Sequence, residues 1–199
     1  MALRRRNFNR LLGQLPYPKM FIIAAEGIKT EPQYFGMLGR RDALIQVKCL
    51  KGKHDSAPPK VLKRMQEYLR EEKFKKGDEA WLVVDKDQWT DDQLCQLSEW
   101  AQTGENYGFA LSNPKFEYWL LLHFEDGNGI SSSRQCSERL KSHLPDYDKG
   151  INKRKFNNLI ENAVDRAKRK DTPPCKDWPR NTGTTVYRLV ERVLTAGTR

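Results

Sequence analysis

The chain has 199 residues, and its 36 Lys and Arg against 26 Asp and Glu give a formal net charge of +10. This excess favours a polyanionic partner, with nucleic acid ahead of a membrane surface, although plain solubility also explains a basic composition. The sequence has no transmembrane-length apolar run, no apolar core of a secretory signal and no C-x-x-C pair, so we expect a cytoplasmic protein without a membrane segment or a zinc site.

At this length we expect one domain, with or without a helical extension. The first stretch, residues 1–17, contains four arginines and no acidic residue. We predict a basic N-terminal arm that either contacts phosphate or is simply a solvated terminus.

The first predicted strand, Met20–Ala25, stops at a single carboxylate, Glu26. A helix is predicted to start just beyond it, with Thr30 as its cap, Pro32 in its first turn and Gln33 completing a capping box. In an open α/β sheet, the turn from a buried strand into a helix lies at the ligand-binding edge. Taken alone, this stretch still favours a solvated loop residue at position 26.

Three further pairs of a strand and a helix follow. The strands are predicted at Ala43–Leu50, Ala80–Val84 and Tyr107–Leu111, and the helices at Lys60–Phe74, at Thr90–Trp100 with Thr90 as cap, and beyond Pro114 with Ser112 or Asn113 as cap. This alternation indicates an α/β core over residues 18–130, a mostly parallel sheet with flanking helices. The helix beyond Pro114 is strongly apolar, and we expect it to be largely buried.

Residues 131–199 show no clear strand. Helices are predicted near Ser131–Leu144, Asn152–Arg169 and Thr184–Thr195, with proline-containing links between them. We therefore expect a basic, helical C-terminal extension that packs on the core.

Acidic side chains follow three of the predicted strands. Glu26 follows the first, Asp85 and Asp87 follow the third, and Glu117 lies in the first turns of the helix after the fourth. The carboxyl ends of parallel strands meet at one edge of a sheet, so these side chains can converge there. Gathered carboxylates suit a hard divalent cation, Mg²⁺ or Mn²⁺, which activates water and stabilises charge on a phosphoryl group. Glu117 in particular needs a partner or a metal, because it is an acid in an apolar helix.

Basic and aromatic side chains indicate where nucleic acid would bind. Lys29 either contacts a scissile phosphate or is an ordinary surface lysine. The C-terminal candidates for phosphate contact are Lys149, Lys153, Arg154, Lys155, Lys168 and Arg169. Tyr147 and Phe156 lie among them and are candidates for stacking on unpaired bases, which favours RNA or single-stranded ends. A solvated helix face is the competing interpretation, and for His123 a satisfied core position is favoured over a catalytic base.

Six stretches together resemble the RloB-like family of proteins. They are IIAAEGIKTEPQYF, WLVVDKDQW, ALSNPKFEYWLLLHF, YDKGINKRKF, ENAVDRAKRK and NTGTTVYRLV. The third follows the family pattern S-N-P-x-F-E-x-W-x-x-x-H-F very closely, and the resemblance extends over residues 19–195, nearly the whole chain. It implies a Toprim-like fold, association with prokaryotic restriction and abortive-infection loci, and an accompanying ABC-type or AAA-like ATPase.

Toprim sites use one Glu after the first strand and a D-x-D after the third. The resemblance therefore implies that Glu26, Asp85 and Asp87 are metal ligands, with Glu26 as ligand or general base. Many Toprim proteins continue the motif to a third Asp, whereas this chain has Gln88 and Trp89 there. The position of a second metal is consequently open, and Glu117 is our candidate for the missing carboxylate.

Together these features predict a Mg²⁺- or Mn²⁺-dependent Toprim-type nuclease that acts in anti-phage defence. Its substrate is RNA, including tRNA, or DNA. An ATPase partner is expected, and homo-oligomerisation is possible. The alternative, favoured by the incomplete acidic motif, is a non-catalytic nucleic-acid-binding or adaptor subunit of an ATPase-containing defence complex. A primase-type phosphoryl transferase would need a nucleotide site, and the sequence has no Walker A or glycine-rich loop.

Overall fold

The structure is a computed structural model that describes residues 18–39, 44–52, 57–87 and 89–196. The predicted basic arm over residues 1–17 lies outside the described residues, and so does Gln88.

Five strands form one sheet. They are β1 (Lys19–Ala25), β2 (Ile45–Cys49), β3 (Glu79–Asp85), β4 (Tyr107–Asn113) and β5 (Gly183–Thr184). Their order across the sheet is β2-β1-β3-β4-β5; the first four strands run parallel, and β5 is antiparallel to β4. The predicted α/β class with a mostly parallel sheet and flanking helices is confirmed.

Helices cover both faces of this sheet. They are α1 (Thr30–Leu38), α2 (Pro58–Glu71), α3 (Asp91–Gln102), α4 (Phe116–Leu121), α5 (Ser133–His143), α6 (Lys153–Phe156), α7 (Ile160–Lys170) and α8 (Val186–Ala196). Side chains of α2 and α3 pack on one face, whereas those of α1, α4, α5, α7 and α8 share the core on the other. Within the described ranges, none of these helices combines the length and the apolar character needed to cross a membrane.

Strand β1 shows why its sequence is apolar without interruption. Phe21, Ile23 and Ala25 point into one core cluster, and Ile22 and Ala24 point into the other. A parallel strand that is covered on both faces has no side for polar residues. Its first polar side chain beyond Lys19 is therefore Glu26, directly after the strand ends.

The C-terminal region differs from its prediction in two places. Gly183–Thr184 forms strand β5, so the last helix begins at Val186. A two-residue strand has no periodicity to detect, and it forms through partners on β4: the Ser112 and Thr184 hydroxyls lie 2.8 Å apart. The helix predicted at Asn152–Arg169 is two helices, α6 and α7. A tight turn separates them where α6 ends, because the Leu159 N–H donates to the Phe156 carbonyl three residues earlier.

Capping follows the local sequence in only one of three predicted places. Thr90 and Gln93 form the capping box of α3 in both directions. The predicted cap of α4 is wrong, because Ser112 is turned to Thr184 and the Asn113 amide donates to the Pro179 and Arg180 carbonyls. The apolar helix that follows is buried along all six residues, as predicted.

The capping box predicted for α1 is also wrong. The Thr30 hydroxyl donates to the carbonyl of Lys149 at 2.9 Å, and the side-chain oxygen of Gln33 accepts the N–H of Ile151 at 2.8 Å. Both side chains satisfy distant backbone groups instead of the start of their own helix, so tertiary partners have replaced the local ones.

Candidate active site at the carboxyl edge of the sheet

The predicted carboxylates meet in one cleft at the carboxyl ends of β1 and β3. The chain passes from β1 to β2 on one side and returns to β3 on the other, so the sheet has its topological switch point between β1 and β3. Ligands of open α/β sheets bind in the crevice at such a point. The cleft has a volume of about 440 Å³, and the predicted site residues that line it are Glu26, Lys29, Asp85, Asp87, Glu117 and Lys149.

Glu26 is half-buried and is held by two donors. Its Oε2 accepts a hydrogen bond from the Asp85 N–H at 3.1 Å, and the Trp89 Nε1–H lies 3.2 Å from Oε1 and 3.3 Å from Oε2. Burial raises the pKa of Glu26 to about 7; these hydrogen bonds oppose the rise, and the charges of Glu31 and Asp87 add to it. A carboxyl group with this pKa exchanges a proton near neutral pH, which suits a general acid or base.

Glu31, in the first turn of α1, is a cleft carboxylate that sequence reasoning missed. It is 6% exposed, and its Oε1 accepts the N–H of Gly27 at 3.0 Å. Gly27 makes room for it, since a Cβ there would lie 2.0 Å from Glu31 Oε2. Burial and then the charge of Glu117 raise the pKa of Glu31, while Lys149 opposes the rise. The available signal was the E-G-x-x-x-E spacing, a small residue after the first acid and a second acid one turn into the helix.

The two residues of the D-x-D motif lie in different environments. Asp85 is half-buried at the end of β3, and burial, followed by the charges of Glu31, Glu26 and Glu117, raises its pKa well above the ordinary range. Asp87 is exposed; its backbone has a φ of +28°, and its N–H donates to the Pro114 carbonyl at 3.1 Å. One carboxylate of the pair is thus embedded in the acidic cluster, and the other faces solvent.

Glu117 has the polar partners that its place in an apolar helix requires. It is 9% exposed, and its Oε1 accepts the Tyr147 hydroxyl at 3.3 Å. The ammonium of Lys115 lies 4.0 Å from its other oxygen. Tyr147, which we expected to stack on bases, is half-buried and directs its hydroxyl at this carboxylate instead.

Three lysines share the cleft with the five carboxylates. Lys29 Nζ donates to the carbonyl of Asp148 at 2.7 Å and lies 3.6 Å from its carboxylate. Lys115 Nζ donates to the Ser137 hydroxyl at 2.6 Å. Lys149, from the loop between α5 and α6, is the third. Acids outnumber cations, so the cleft suits a ligand that brings positive charge.

The donor set fits a hard divalent cation in kind, because every acidic group is a carboxylate and Mg²⁺ prefers oxygen. The raised pKa values of Glu26, Glu31 and Asp85 have a common cause in burial among like charges. In the part of the chain that the structure describes, no three His, Cys, Asp or Glu side chains are already arranged as a metal cage. The carboxylates are therefore gathered but not closed around one point.

Most of the predicted phosphate contacts lie away from the cleft. Lys168 and Arg169 on α7 border a groove of about 490 Å³ and form ion pairs with Glu191 at 2.8 Å and Asp126 at 3.2 Å. The three basic residues of α6 are Lys153, Arg154 and Lys155. Of these, Lys155 borders a separate cavity of about 180 Å³. Lys149 is the member of the predicted C-terminal set that reaches the carboxylates.

Phe156 and His123 belong to the core. Phe156 is fully buried, so the expectation that it stacks on bases is wrong; its ring packs edge-on against His123 and Phe124. His123 is 1% exposed, its Nδ1 faces the Trp119 carbonyl at 3.1 Å and its Nε2 lies 3.0 Å from the Tyr34 hydroxyl. Burial lowers the pKa of His123 to about 3, and the prediction of a satisfied core histidine is confirmed.

Comparison with known proteins agrees with the resemblance in sequence. A family model described as RloB-like protein matches residues 21–193, which covers all four parallel strands almost completely and every residue of the cleft. No curated protein matches the chain, and neither does any solved structure.

Proposed function

The chain belongs to the RloB-like protein family, and from this premise and the geometry of the acidic cleft we propose that it is a metal-dependent Toprim-type nuclease. It would hydrolyse phosphodiester bonds of RNA, including tRNA, or of DNA. The observation that carries the proposal is the convergence of five carboxylates at the switch point of a parallel sheet in a chain of net charge +10. Carboxylates that bind a cation, inside a chain that attracts a polyanion, are what metal-assisted phosphodiester hydrolysis requires.

In this proposal Glu26, Asp85 and Asp87 hold Mg²⁺ or Mn²⁺, and Glu31 and Glu117 complete the acidic surroundings. A metal held by these residues would activate water and stabilise negative charge on the phosphoryl group. Glu26 is the metal ligand or the general base; its pKa of about 7 in the metal-free cleft suits the second role, because both protonation states are then populated at neutral pH. The Asp85 N–H and the Trp89 indole keep its carboxylate oriented toward the end of β3.

The cations of the chain have the complementary role. Lys29 and Lys149 meet substrate phosphate at the cleft, whereas Lys153, Arg154, Lys155, Lys168 and Arg169 bind the backbone of the nucleic acid further away. Contacts of this kind give an affinity that falls steeply with salt. We further propose that the protein acts in the cytoplasm in anti-phage defence with an ABC- or AAA-type ATPase.

Incubation of the purified protein with labelled DNA and tRNA in Mg²⁺ or Mn²⁺, with and without its ATPase partner, tests this function. We expect cleavage that EDTA abolishes and that Asp85→Ala reduces at least about 100-fold. Glu99→Gln is the matched control, because it removes one carboxylate from the exposed side of α3. Equal cleavage by Asp85→Ala and the unaltered protein would refute the metal-site assignment.

A non-catalytic nucleic-acid-binding or adaptor subunit is the second candidate. It is favoured by the fact that both oxygens of Glu26 already face protein donors, as in a structural carboxylate. This candidate predicts salt-sensitive binding with no cleavage under any metal. A crystal soaked in Mn²⁺ separates the two, since anomalous density between Glu26 and the Asp85–Asp87 pair supports the nuclease.

A further inference from the structure

Three side chains at the start of α1 hold one segment, residues 147–151, which we call the strap. The strap joins the C-terminal part of the chain to the rim of the cleft. The bonds run from Lys29 Nζ to the Asp148 carbonyl (2.7 Å), from the Thr30 hydroxyl to the Lys149 carbonyl (2.9 Å), and from the Ile151 N–H to Gln33 Oε1 (2.8 Å). The local sequence predicts that Thr30 and Gln33 cap their own helix, α1. Instead, both side chains bond to the backbone of the strap.

The backbone of the strap is strained at one residue. Lys149 has a φ of +54°, which is a left-handed backbone conformation that residues other than glycine rarely adopt. Its neighbour Gly150 could adopt this conformation freely, yet the positive φ falls on the lysine. Such a conformation persists only where the surroundings hold it, and here the buried Thr30 hydroxyl binds the carbonyl of the strained residue itself.

The side chain presented in this way is also distinct among the cleft lysines. Lys29 is bonded to Asp148, and Lys115 is bonded to Ser137. Within the ranges that the structure describes, the ammonium of Lys149 has neither a hydrogen bond nor an ion pair. It nevertheless lies close enough to the carboxylates to oppose the rise in the pKa of Glu31.

We propose that the strap positions the ammonium of Lys149 to bind the reacting phosphate, and that Thr30 is the positioning residue that holds it there. The proposal rests on the proposed nuclease function and adds to it. A phosphodiester that enters a cleft lined by five carboxylates needs a cation near its oxygens, and the ammonium of Lys149, carried by a backbone that Thr30 holds, supplies one. Lys29 also lines the cleft, but its ammonium already donates to the Asp148 carbonyl and so anchors the strap as well.

Kinetics of cleavage of one labelled oligonucleotide in Mn²⁺, under single-turnover conditions, test this assignment. We expect Lys149→Gln to lower the rate constant about 100-fold and Thr30→Val about 10-fold, whereas Thr30→Ser, which keeps the hydroxyl, stays within about 2-fold. Lys63→Gln is the control, because it removes an equal charge from the exposed side of α2, on the opposite face of the sheet.

The double variant Thr30→Val with Lys149→Gln decides whether Thr30 acts through Lys149. We expect it to be no slower than Lys149→Gln alone, since the two changes remove one shared interaction. Independent, multiplying effects would overturn the positioning role, and so would an equal loss in Lys63→Gln. If Thr30→Val does not fold, Gln33→Leu removes a second anchor of the strap and is expected to give the same pattern.

A binding measurement separates failure of the strap from failure of the nuclease. In Ca²⁺, a fluorescein-labelled 20-nucleotide RNA is expected to bind Lys149→Gln about 5- to 10-fold more weakly than the unaltered protein, and Lys63→Gln within about 2-fold. If the unaltered protein cleaves nothing but this difference persists, the nuclease proposal fails and the phosphate-binding role of Lys149 stands. Equal affinities of all three proteins would overturn that role, whatever the cleavage assays show.

Discussion

Strand β3 carries an acidic residue at each end, and the two ends contrast sharply. At the amino end, Glu79 is 1% exposed and accepts hydrogen bonds from Lys19 Nζ at 2.6 Å, from Arg192 Nε at 3.0 Å and from the Trp81 indole at 3.0 Å. Burial by itself would raise the pKa of Glu79, but the hydrogen bonds from Arg192, Lys19 and Trp81 hold it below the ordinary value. At the carboxyl end, burial and three neighbouring carboxylates raise the pKa of Asp85.

The two carboxylates differ in their surroundings: Glu79 is matched by cations, whereas Asp85 lies among other carboxylates in the proposed active site. A buried carboxylate with matched cations needs nothing further and joins β3 to β1 and α8. Carboxylates grouped without matched cations are unfavourable for the folded chain, and such groups cluster at functional sites. We therefore expect substitutions at the two ends to separate stability from activity.

The largest expected effect is on activity at the carboxyl end. Asp85→Asn should lower metal-dependent cleavage at least about 100-fold, while the free energy of unfolding in EDTA stays equal or rises, because a repelled buried charge is removed. Single-turnover cleavage and urea denaturation measure the two quantities. A variant that loses activity only in proportion to its loss of folded protein would contradict the comparison.

The reverse is expected at the amino end. Glu79→Gln keeps the shape of the side chain but removes the charge that Lys19 and Arg192 surround, so it should destabilise the protein by about 2 kcal/mol. Activity per folded molecule should be unchanged, because Glu79 lies at the far edge of the sheet. Urea denaturation with cleavage assays at equal folded concentration tests this, and a 10-fold slower reaction of the folded variant would count against it.

The two ends should also respond to pH with opposite sign. The pKa of Glu26 is raised from 4.5 to about 7, so the folded state binds more protons between these values, and stability falls as the pH rises from 4.5 to 7. Glu79 has a lowered pKa, so its contribution is present above pH 4.5 and is lost as the pH falls below it.

Unfolding free energies measured in EDTA from pH 4 to 8 test this expectation. Glu26→Gln should remove a decline of roughly 1–2 kcal/mol between pH 5 and 7, after allowance for solvent screening. Glu79→Gln should leave that decline in place and should instead reduce the loss of stability as the pH falls below 4.5. A decline that persists unchanged in Glu26→Gln would assign it to another group.

The smallest expected effect is stabilisation by metal. Mn²⁺ at ten times its dissociation constant should stabilise the folded protein by about 1.4 kcal/mol, because it binds the gathered carboxylates only when they are folded together. Asp85→Asn should abolish this gain and Glu79→Gln should retain it, as judged by thermal denaturation with and without Mn²⁺. Equal stabilisation of both variants would mean that the ion binds elsewhere.

Elements were predicted well where the local pattern agreed with the tertiary structure. Strands β1, β3 and β4 are largely apolar because both faces of the sheet are covered there, and such a run is visible in the sequence; β2, at the edge, instead alternates buried and exposed side chains. Thr90 was predicted as the cap of α3, and the structure confirms it, because the backbone N–H that it caps, that of Gln93, is only three residues away. Strand β5 was missed because two residues become a strand only through their bonds to β4.

The site was predicted in outline. Glu26, Asp85, Asp87 and Glu117 line one cleft because the carboxyl ends of β1, β3 and β4 lie side by side. What sequence reasoning did not reach was how these acids are held. Trp89 stands where many Toprim-like motifs have a third Asp, and it donates its indole N–H to Glu26. Such a contact spans 63 residues of sequence and follows no local pattern.

The amino-acid sequence alone determined the alternation of strands and helices, the family and the acids at strand ends, because periodicity and short motifs are properties of neighbouring residues. Only the tertiary structure decided that Glu31 joins the acidic cluster, that Phe156 lies in the core and that the strap sets Lys149 over the cleft. These outcomes depend on contacts between residues that are far apart in the sequence, and such contacts form only when the whole chain packs.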